Sequence, residues 1–382
     1  MKLGLGLYRG LLSEDNFRFA KQAGVTHLVV HLVNYFAGRS PVVDSGEYNM
    51  GWGNTPNEGK LWTYEELAAI KKSIEAAGLT WEAIENFDPA HWYDILLDGP
   101  KKKQQMEGLK RMIQAIGKAG IPIMGYNFSM AGVWGWTRGP FGRGKAVSVR
   151  YDESAIDPQT PIPNGMIWNM IYDTSAPGGN VPRVSPDELW GRYAWFLEQI
   201  IPVAEENNVR MALHPDDPPA DFLRGTARLV NQPQKYQRVL DLAPSRSNAL
   251  EFCLGSLQEM RDGDVYESIA HYGRQKAIAY VHFRNVRGKV PRYQEVFIDE
   301  GDLDMLHALS TLREVGYDGV VIPDHTPEMS CDAPWHAGMA YALGYIRAAM
   351  QVIDRFGSIP PRDGANGQAA AGKRAISTGA PA

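Results

Sequence analysis

The sequence is poor in cysteine, and it lacks long apolar runs and any excess of basic residues. Two cysteines in 382 residues cannot form a disulfide framework, which excludes the small secreted scaffolds that depend on one. No uninterrupted apolar segment approaches the length of a membrane span. A net charge of −5 at pH 7 argues against a nucleic-acid-binding surface. We therefore expect a cytoplasmic protein whose partner is neither a membrane nor a nucleic acid.

Strand-like apolar segments followed by helical patterns recur along the chain. Eight segments predict strands, at residues 2–8, 26–32, 80–85, 121–128, 210–216, 248–255, 278–285 and 319–325. Helix ends are marked by Ala23-Gly24 and Ala77-Gly78, and Ser185-Pro-Asp-Glu188 has the residues of a capping box at a helix start. Strands that are apolar throughout are typical of parallel sheets covered by helices. The eight units therefore predict a (β/α)8 barrel.

Two connections are much longer than the others, at about residues 33–62 and 129–184. Both run from a strand end to the next helix, and such loops lie on the face of a barrel where substrates bind. The second contains the aromatic run Trp134-Gly-Trp136, which favours a lid. We predict one barrel domain over residues 1–356. Residues 357–382 are rich in Gly, Ala and Pro without apolar periodicity, and they predict a flexible tail.

Each of the last four predicted strands ends in a potential metal ligand: His214, Cys253, His282 and Asp324. The ends of adjacent barrel strands meet at one mouth, so these side chains can reach a common ion. Alone, a His or Cys is more often structural, but the chain has only nine His and two Cys, and the succession predicts a metal centre. The mixture of nitrogen, sulfur and oxygen suits Mn²⁺, Fe²⁺, Co²⁺ or Zn²⁺ rather than Ca²⁺. Glu251, on the same side of its strand as Cys253, is an alternative ligand.

Several motifs resemble those of the mannonate dehydratase family. They are His214-Pro-Asp-Asp-Pro-Pro219, Phe252-Cys-Leu-Gly-Ser256, His282-Phe-Arg-Asn-Val286, Leu303-Asp-Met305 and Ile322-Pro-Asp-His325, with Gly125-Tyr-Asn-Phe128 and Trp136-Thr-Arg138 as weaker matches. The resemblance covers about residues 1–351. It implies a xylose-isomerase-like barrel and a hydro-lyase that converts D-mannonate, a sugar acid, to 2-keto-3-deoxy-D-gluconate in hexuronate breakdown. It also implies a homo-oligomer and a Mn²⁺ cofactor, with Fe²⁺, Co²⁺ or Mg²⁺ as alternatives, and it favours Cys253 over Glu251 as a ligand.

Dehydration of a sugar acid requires a group that removes the proton beside the carboxylate and a group that helps the 3-hydroxyl leave. His325 is the favoured proton carrier, because it adjoins a ligand and titrates near neutrality. Tyr126 and Tyr341 are the other catalytic candidates. An equal alternative is that His325 only orients Asp324.

Five residues are candidates for substrate binding. Arg284 and Arg138 are suited to a bidentate contact with the carboxylate, and Trp136 to stacking on the sugar. Asn127 and Asn285 stand near strand ends and suit hydroxyl recognition. Salt bridges for the arginines and subunit packing for Trp136 are the structural alternatives.

Two segments depart from the family pattern. Residues 296–302 stand where the family carries a Ser/His-containing stretch, and Thr326-Pro327 stands where it has Gly. These departures motivate a second hypothesis, a metal-dependent sugar isomerase or epimerase that uses Asp299 or Glu300 as acid and base. A helix N-terminus, where acidic residues are stabilised by the dipole, is the plainer reading of these two residues. A third hypothesis, a non-catalytic sugar-binding protein, conflicts with an intact ligand set.

Overall fold

A computed structural model describes residues 1–35, 53–55 and 60–360 of the chain. The predicted loop at 33–62 lies largely outside the described residues. The predicted tail also lies outside them, apart from residues 357–360.

The described residues form sixteen strands and ten α-helices. The strands are β1 (Lys2–Tyr8), β2 (His27–His31), β3 (Thr80–Glu85), β4 (Ile123–Tyr126), β5 (Trp136–Gly139), β6 (Ser148–Asp152), β7 (Met166–Ile167), β8 (Met170–Ile171), β9 (Arg210–Leu213), β10 (Phe222–Leu223), β11 (Thr226–Ala227), β12 (Asn248–Cys253), β13 (Ile278–His282), β14 (Asn285–Lys289), β15 (Arg292–Val296) and β16 (Val320–Ile322). The helices are α1 (Glu14–Gln22), α2 (Tyr64–Ala76), α3 (Pro89–Leu97), α4 (Lys102–Lys118), α5 (Pro186–Glu206), α6 (Lys235–Leu242), α7 (Leu254–Glu259), α8 (Val265–Arg274), α9 (Met305–Glu314) and α10 (Pro334–Phe356).

Eight of the strands close into a parallel barrel in the order β1-β16-β13-β12-β9-β4-β3-β2. The predicted (β/α)8 fold is thereby confirmed, and each predicted strand segment contains one barrel strand. Several strands are shorter than predicted, because the backbone leaves the sheet before the functional residues: β9 ends one residue before His214, and β16 ends two before Asp324.

Local signals set the helix boundaries as predicted. Ser185 accepts a hydrogen bond from the backbone of Glu188, whose carboxylate accepts from the Ser185 amide, so α5 begins with a complete capping box. Gly24 follows α1 with φ of 87°, a left-handed conformation that stops a helix. These signals fix where α5 begins and where α1 ends.

The barrel interior is packed rather than open. One buried cluster contains only residues of barrel strands, and many of them are small: Val29, Ala83, Ile123, Ala212, Ala249, Ala279, Tyr280, Val320 and Ile322. A much larger apolar cluster joins the strands to the surrounding helices. No helix in the described part of the chain is long and apolar enough to cross a bilayer.

The predicted lid at 129–184 is ordered by pairing with another loop. Its strands β5 and β6 join the hairpin β14–β15, which follows β13, in an antiparallel sheet of order β14-β15-β6-β5. The Trp136 indole N–H donates to the Tyr293 hydroxyl (2.9 Å) and links the outer strand β5 to β15. Two loops on the C-terminal side of the barrel therefore form one continuous surface.

Candidate active site

The four predicted metal ligands lie at the C-terminal ends of neighbouring barrel strands. His214 follows β9, Cys253 and His282 are the last residues of β12 and β13, and Asp324 follows β16. Cys253 and His282 face each other as direct partners in the strand register. The barrel topology alone therefore brings these side chains to one place.

One ligand atom each from His214, Cys253 and His282 lies within 4.8 Å of the others. Asp324 adjoins this group, with its Oδ2 3.4 Å from His282 Nδ1. Since metal–ligand bonds are about 2.0–2.3 Å long, the ligand atoms of one ion lie about 3–4.5 Å apart. His214, Cys253 and His282 thus have nearly the spacing that one ion requires, and Asp324 lies beside them.

The hydrogen bonds of these side chains leave lone pairs available to an ion. His214 Nδ1 lies 2.5 Å from the Pro215 carbonyl oxygen, which can only accept, so Nε2 carries the lone pair. His282 Nδ1 is buried and makes no hydrogen bond of good geometry among the described residues. A buried polar atom without a partner is costly, and an ion would satisfy it. The donor set fits a borderline divalent metal.

The surroundings favour the metal-binding form of the two acidic ligands. Burial alone would raise the pKa of the Cys253 thiol, but the Arg284 guanidinium and the imidazoles of His214 and His282 lower it to about 5. The thiolate is the form that binds metals. Burial likewise opposes ionisation of Asp324, yet His282 and His325 hold the pKa of that carboxyl well below its usual value.

Two further carboxylates lie on the other side of His282. Glu85 Oε2 and Glu251 Oε1 are each 3.2 Å from His282 Nε2, and Glu85 Oε2 is also 3.5 Å from His31 Nε2. Burial and the charge of Glu85 raise the pKa of Glu251, whereas the pKa of Glu85 is lowered, because the two imidazoles outweigh its burial. The group that contains both His214 and His282 includes the sulfur of Cys253 and not the carboxylate of Glu251.

Arg284 lies among carboxylates. Its NH1 donates to Glu259 (2.6 Å), its Nε to Asp324 (3.0 Å), and its NH2 to Asp217. Glu295 lies 3.4 Å from NH1. All three guanidinium nitrogens therefore have protein acceptors, and a bidentate contact with a substrate would have to displace one of them.

His325 is held by the antiparallel sheet that covers the barrel end. Its Nδ1 lies 2.9 Å from Glu295 Oε1 on β15, and its Nε2 lies 3.5 Å from Asp324 Oδ1. The Trp136 ring, from β5, packs edge-on against the imidazole with centroids 5.7 Å apart. The His325 side chain is still 34% exposed and lines the pocket, so a ligand can reach it.

The similarity to known proteins extends over most of the chain and not only over the pocket. The model of the family "D-mannonate dehydratase (UxuA)" matches residues 20–359. The chain belongs to this family. Mannonate dehydratase 2 of Halalkalibacterium halodurans is 31% identical over 279 residues, which cover 70% of this chain and 79% of that protein. The predicted family and the predicted enzyme class, a hydro-lyase that dehydrates a sugar acid, are thereby confirmed.

Two solved structures share the fold of this chain. The crystal structure of mannonate dehydratase from Streptococcus suis serotype 2 has a TM-score of 0.72 at 24% identity, covering 94% of this chain and 97% of that chain. A xylose isomerase domain protein from Planctomyces limnophilus has a TM-score of 0.56 at 13% identity, covering 93% of this chain and 99% of that chain. The predicted xylose-isomerase-like barrel is confirmed.

A pocket of about 540 Å³, which includes space open to solvent, adjoins the predicted ligands. Of the predicted substrate-binding residues, Asn127, Trp136 and Arg284 line it. Sequence reasoning missed several other lining residues: Tyr8, His31, Tyr35, Glu85, Asn86 and Trp168. Tyr8, His31 and Glu85 are the last residues of β1, β2 and β3, so the strand-end criterion would have found them had it been applied to the first half of the chain.

Two predicted site residues are directed into the protein interior instead. The Tyr126 hydroxyl is 2.9 Å from the Tyr193 hydroxyl, and the Tyr126 ring packs 5.3 Å from that of Phe196 on α5, so it faces the helix layer. The Asn285 amide donates to the backbone carbonyl of Leu303 (3.0 Å) and supports a loop. Neither residue is among the described residues that line the pocket.

Arg138 and Tyr341 lie outside the pocket as well. Arg138 NH2 pairs with Glu328 at 2.5 Å, and both side chains are more than a third exposed. The Tyr341 hydroxyl accepts a long contact of 3.4 Å from Arg143 NH2, and its ring packs against Phe297. A surface salt bridge, the structural alternative for Arg138, is the contact that we observe.

One segment that departs from the family pattern contacts the second long loop, and a residue just beyond the other does so too. Arg143 of that loop donates to both carboxylate oxygens of Asp299 (2.8 and 3.3 Å) and lies 3.6 Å from Glu300. Beyond Thr326-Pro327, Glu328 forms an isolated bridge with Val147 of the same loop. Asp299 and Glu300 do not begin a helix, since α9 begins only at Met305. These departures therefore lie in or directly beside a loop–loop contact.

Proposed function

We propose that this chain is a metal-dependent dehydratase that converts D-mannonate to 2-keto-3-deoxy-D-gluconate and water. The observation that carries the proposal is the approach of His214, Cys253 and His282 within 4.8 Å, beside Asp324, in a chain that belongs to the D-mannonate dehydratase family. The dehydratases of H. halodurans and S. suis bear mannonate in their names.

The ion that we propose is Mn²⁺, held by His214, Cys253, His282 and Asp324. When bound, it would supply a Lewis acid that stabilises negative charge developing on the substrate carboxylate and 2-hydroxyl. The thiolate and imidazole donors also suit Fe²⁺ or Co²⁺, and they suit Mg²⁺ less well because that ion prefers oxygen ligands.

We assign the proton transfer to His325. It is the imidazole at the pocket that both adjoins a ligand and keeps a third of its side chain accessible. The Glu295 carboxylate at Nδ1 accepts the proton of that nitrogen, which leaves Nε2 to exchange a proton with the substrate. The alternative role of only orienting Asp324 predicts that substitution of His325 lowers metal affinity, whereas a proton carrier predicts loss of turnover with the metal retained.

The remaining polar and aromatic lining suits a polyhydroxy acid. Asn127 and Asn86 offer amide groups to hydroxyls, and Trp136 and Trp168 offer apolar faces that exclude water. We propose that Arg284 orients Asp324 and Asp217 rather than binding the substrate carboxylate, because its nitrogens already have protein acceptors.

The isomerase or epimerase alternative has weaker support. It requires Asp299 or Glu300 to reach the substrate, but both pair with Arg143, and neither is among the described residues that line the pocket. A homo-oligomeric state and a cytoplasmic location stay predictions that rest on the family resemblance and on composition.

The deciding experiment is an assay for the 2-keto-3-deoxy acid with D-mannonate on Mn²⁺-loaded protein, with metal content measured on the same sample. We expect one ion per chain and product formation, with both lost in His214→Ala. An epimeric aldonate such as D-gluconate is the control for stereochemistry. Bound metal without product from D-mannonate would contradict the proposed substrate, and failure to retain any metal would contradict the proposed centre.

A further inference from the structure

Glu85 approaches the ligand His282 from directly across the barrel. It ends β3, which lies four places from β13 in the closed eight-stranded order. Its Oε2 is 3.2 Å from His282 Nε2, and both side chains are almost fully buried. We propose that Glu85 is a positioning residue that fixes the tautomer and orientation of His282 and thereby raises the affinity of the centre for its ion.

The argument rests on the chemistry of a neutral imidazole, which has one N–H group and one lone pair. A carboxylate can only accept, so the nitrogen facing Glu85 must donate, and Nε2 of His282 carries the hydrogen. The lone pair is then on Nδ1. This atom lies 3.4 Å from Oδ2 of Asp324 and makes no good hydrogen bond among the described residues. Nδ1 is therefore the atom presented to the metal.

Glu85 and Glu251 are at the same distance from His282 Nε2, but they are not equivalent. The contact from Glu85 has hydrogen-bond geometry, and the one from Glu251, also 3.2 Å, is an ion-pair distance only. His31 Nε2, on the adjacent strand β2, lies 3.5 Å from the same Glu85 oxygen. Glu85 is thus held between two imidazoles, and Glu251 provides a control at matched distance.

A carboxylate on the far nitrogen of a ligating histidine raises its basicity and holds its ring in place. Loss of such a partner typically weakens metal binding by about 10- to 100-fold. The ligands themselves remain, so the centre should still bind one ion. This inference depends on the proposed metal centre but not on the proposed substrate.

The isosteric variants Glu85→Gln and Glu251→Gln test the proposal. In Mn²⁺ titrations followed by electron paramagnetic resonance, we expect Glu85→Gln to weaken binding by about 10- to 100-fold and Glu251→Gln to leave it unchanged within error. The unfolding midpoint of each metal-free variant separates a loss of affinity from a loss of fold. Equal affinities for wild type and Glu85→Gln, or an equal loss in both variants, would overturn the proposal.

A second measurement needs no turnover. In Zn²⁺-loaded protein with ¹⁵N-labelled histidine, long-range proton–nitrogen correlations distinguish a protonated nitrogen from a metal-bound one. We expect the proton of His282 on Nε2 and the ion on Nδ1, and the reverse would overturn the proposal. Two Zn²⁺ per chain, with the second lost in Glu251→Gln, would also overturn it, because Glu85 and Glu251 would then be ligands. If D-mannonate proves not to be the substrate, both measurements still stand.

Discussion

Replacing Tyr126 by Phe separates a catalytic role from a structural one. The residue adjoins Asn127 at the end of β4, and in sequence it is a credible proton carrier. In the structure its hydroxyl pairs with that of Tyr193 (2.9 Å) in a layer of aromatic rings between β4 and α5. We therefore expect Tyr126→Phe to leave kcat and KM for D-mannonate within about a factor of three, since less than about 1 kcal/mol of barrier would change.

Stability should change instead. Both hydroxyls are buried, and removal of one leaves the other without its partner, which costs about 1–3 kcal/mol. With an unfolding entropy of about 2 cal/mol/K per residue, that range lowers the melting temperature of a chain of this size by about 1–4 °C. Urea unfolding of the metal-free protein measures the free energy directly.

Tyr193→Phe is the matched control, and the double variant completes the cycle. Because both partners are then apolar, we expect the double variant to lose less free energy of unfolding than the two single variants together. A hundredfold loss of kcat in Tyr126→Phe at unchanged stability would refute the assignment and restore Tyr126 to the catalytic set.

Three further sets of substitutions test the site. His214→Ala and Asp324→Asn should each abolish metal retention, measured by elemental analysis, and product formation with it; full metal content in either would remove that residue from the ligand set. Asp299→Asn and Glu300→Gln should retain dehydratase activity. They should alter the free energy of unfolding by less than about 1 kcal/mol, because their partner Arg143 is nearly half exposed. A large fall in kcat would revive the acid–base hypothesis. Trp136→Phe removes the indole N–H that is hydrogen-bonded to the Tyr293 hydroxyl at 2.9 Å, and it thins the pocket wall. We expect kcat/KM to fall about tenfold, a loss of about 1.4 kcal/mol of transition-state stabilisation, with the metal retained. Unchanged kinetics would exclude the covering sheet from the reaction.

The sequence did not predict which way the side chains at the strand ends point. Tyr126 and Asn127 are neighbours, yet only Asn127 lines the pocket. A parallel strand is apolar on both faces, so the pattern of residues does not tell which face turns towards the barrel axis. Arg284 was placed correctly at the pocket, but its four carboxylate partners were not foreseen, because three of them are at least 25 residues away in the chain and the fourth, Glu295, follows in the next hairpin.

The sequence by itself determined the barrel and the residues that we propose for the metal centre. Both follow from local patterns, since strand and helix signals repeat eight times and the ends of parallel barrel strands must meet, whatever the details of packing. Only the tertiary structure decided which groups surround that centre. Glu85 and His282 are 197 residues apart and meet across the barrel, and Arg143 and Asp299 are 156 apart and meet between two loops. Such contacts depend on barrel closure and on loop pairing, which no local stretch of sequence encodes.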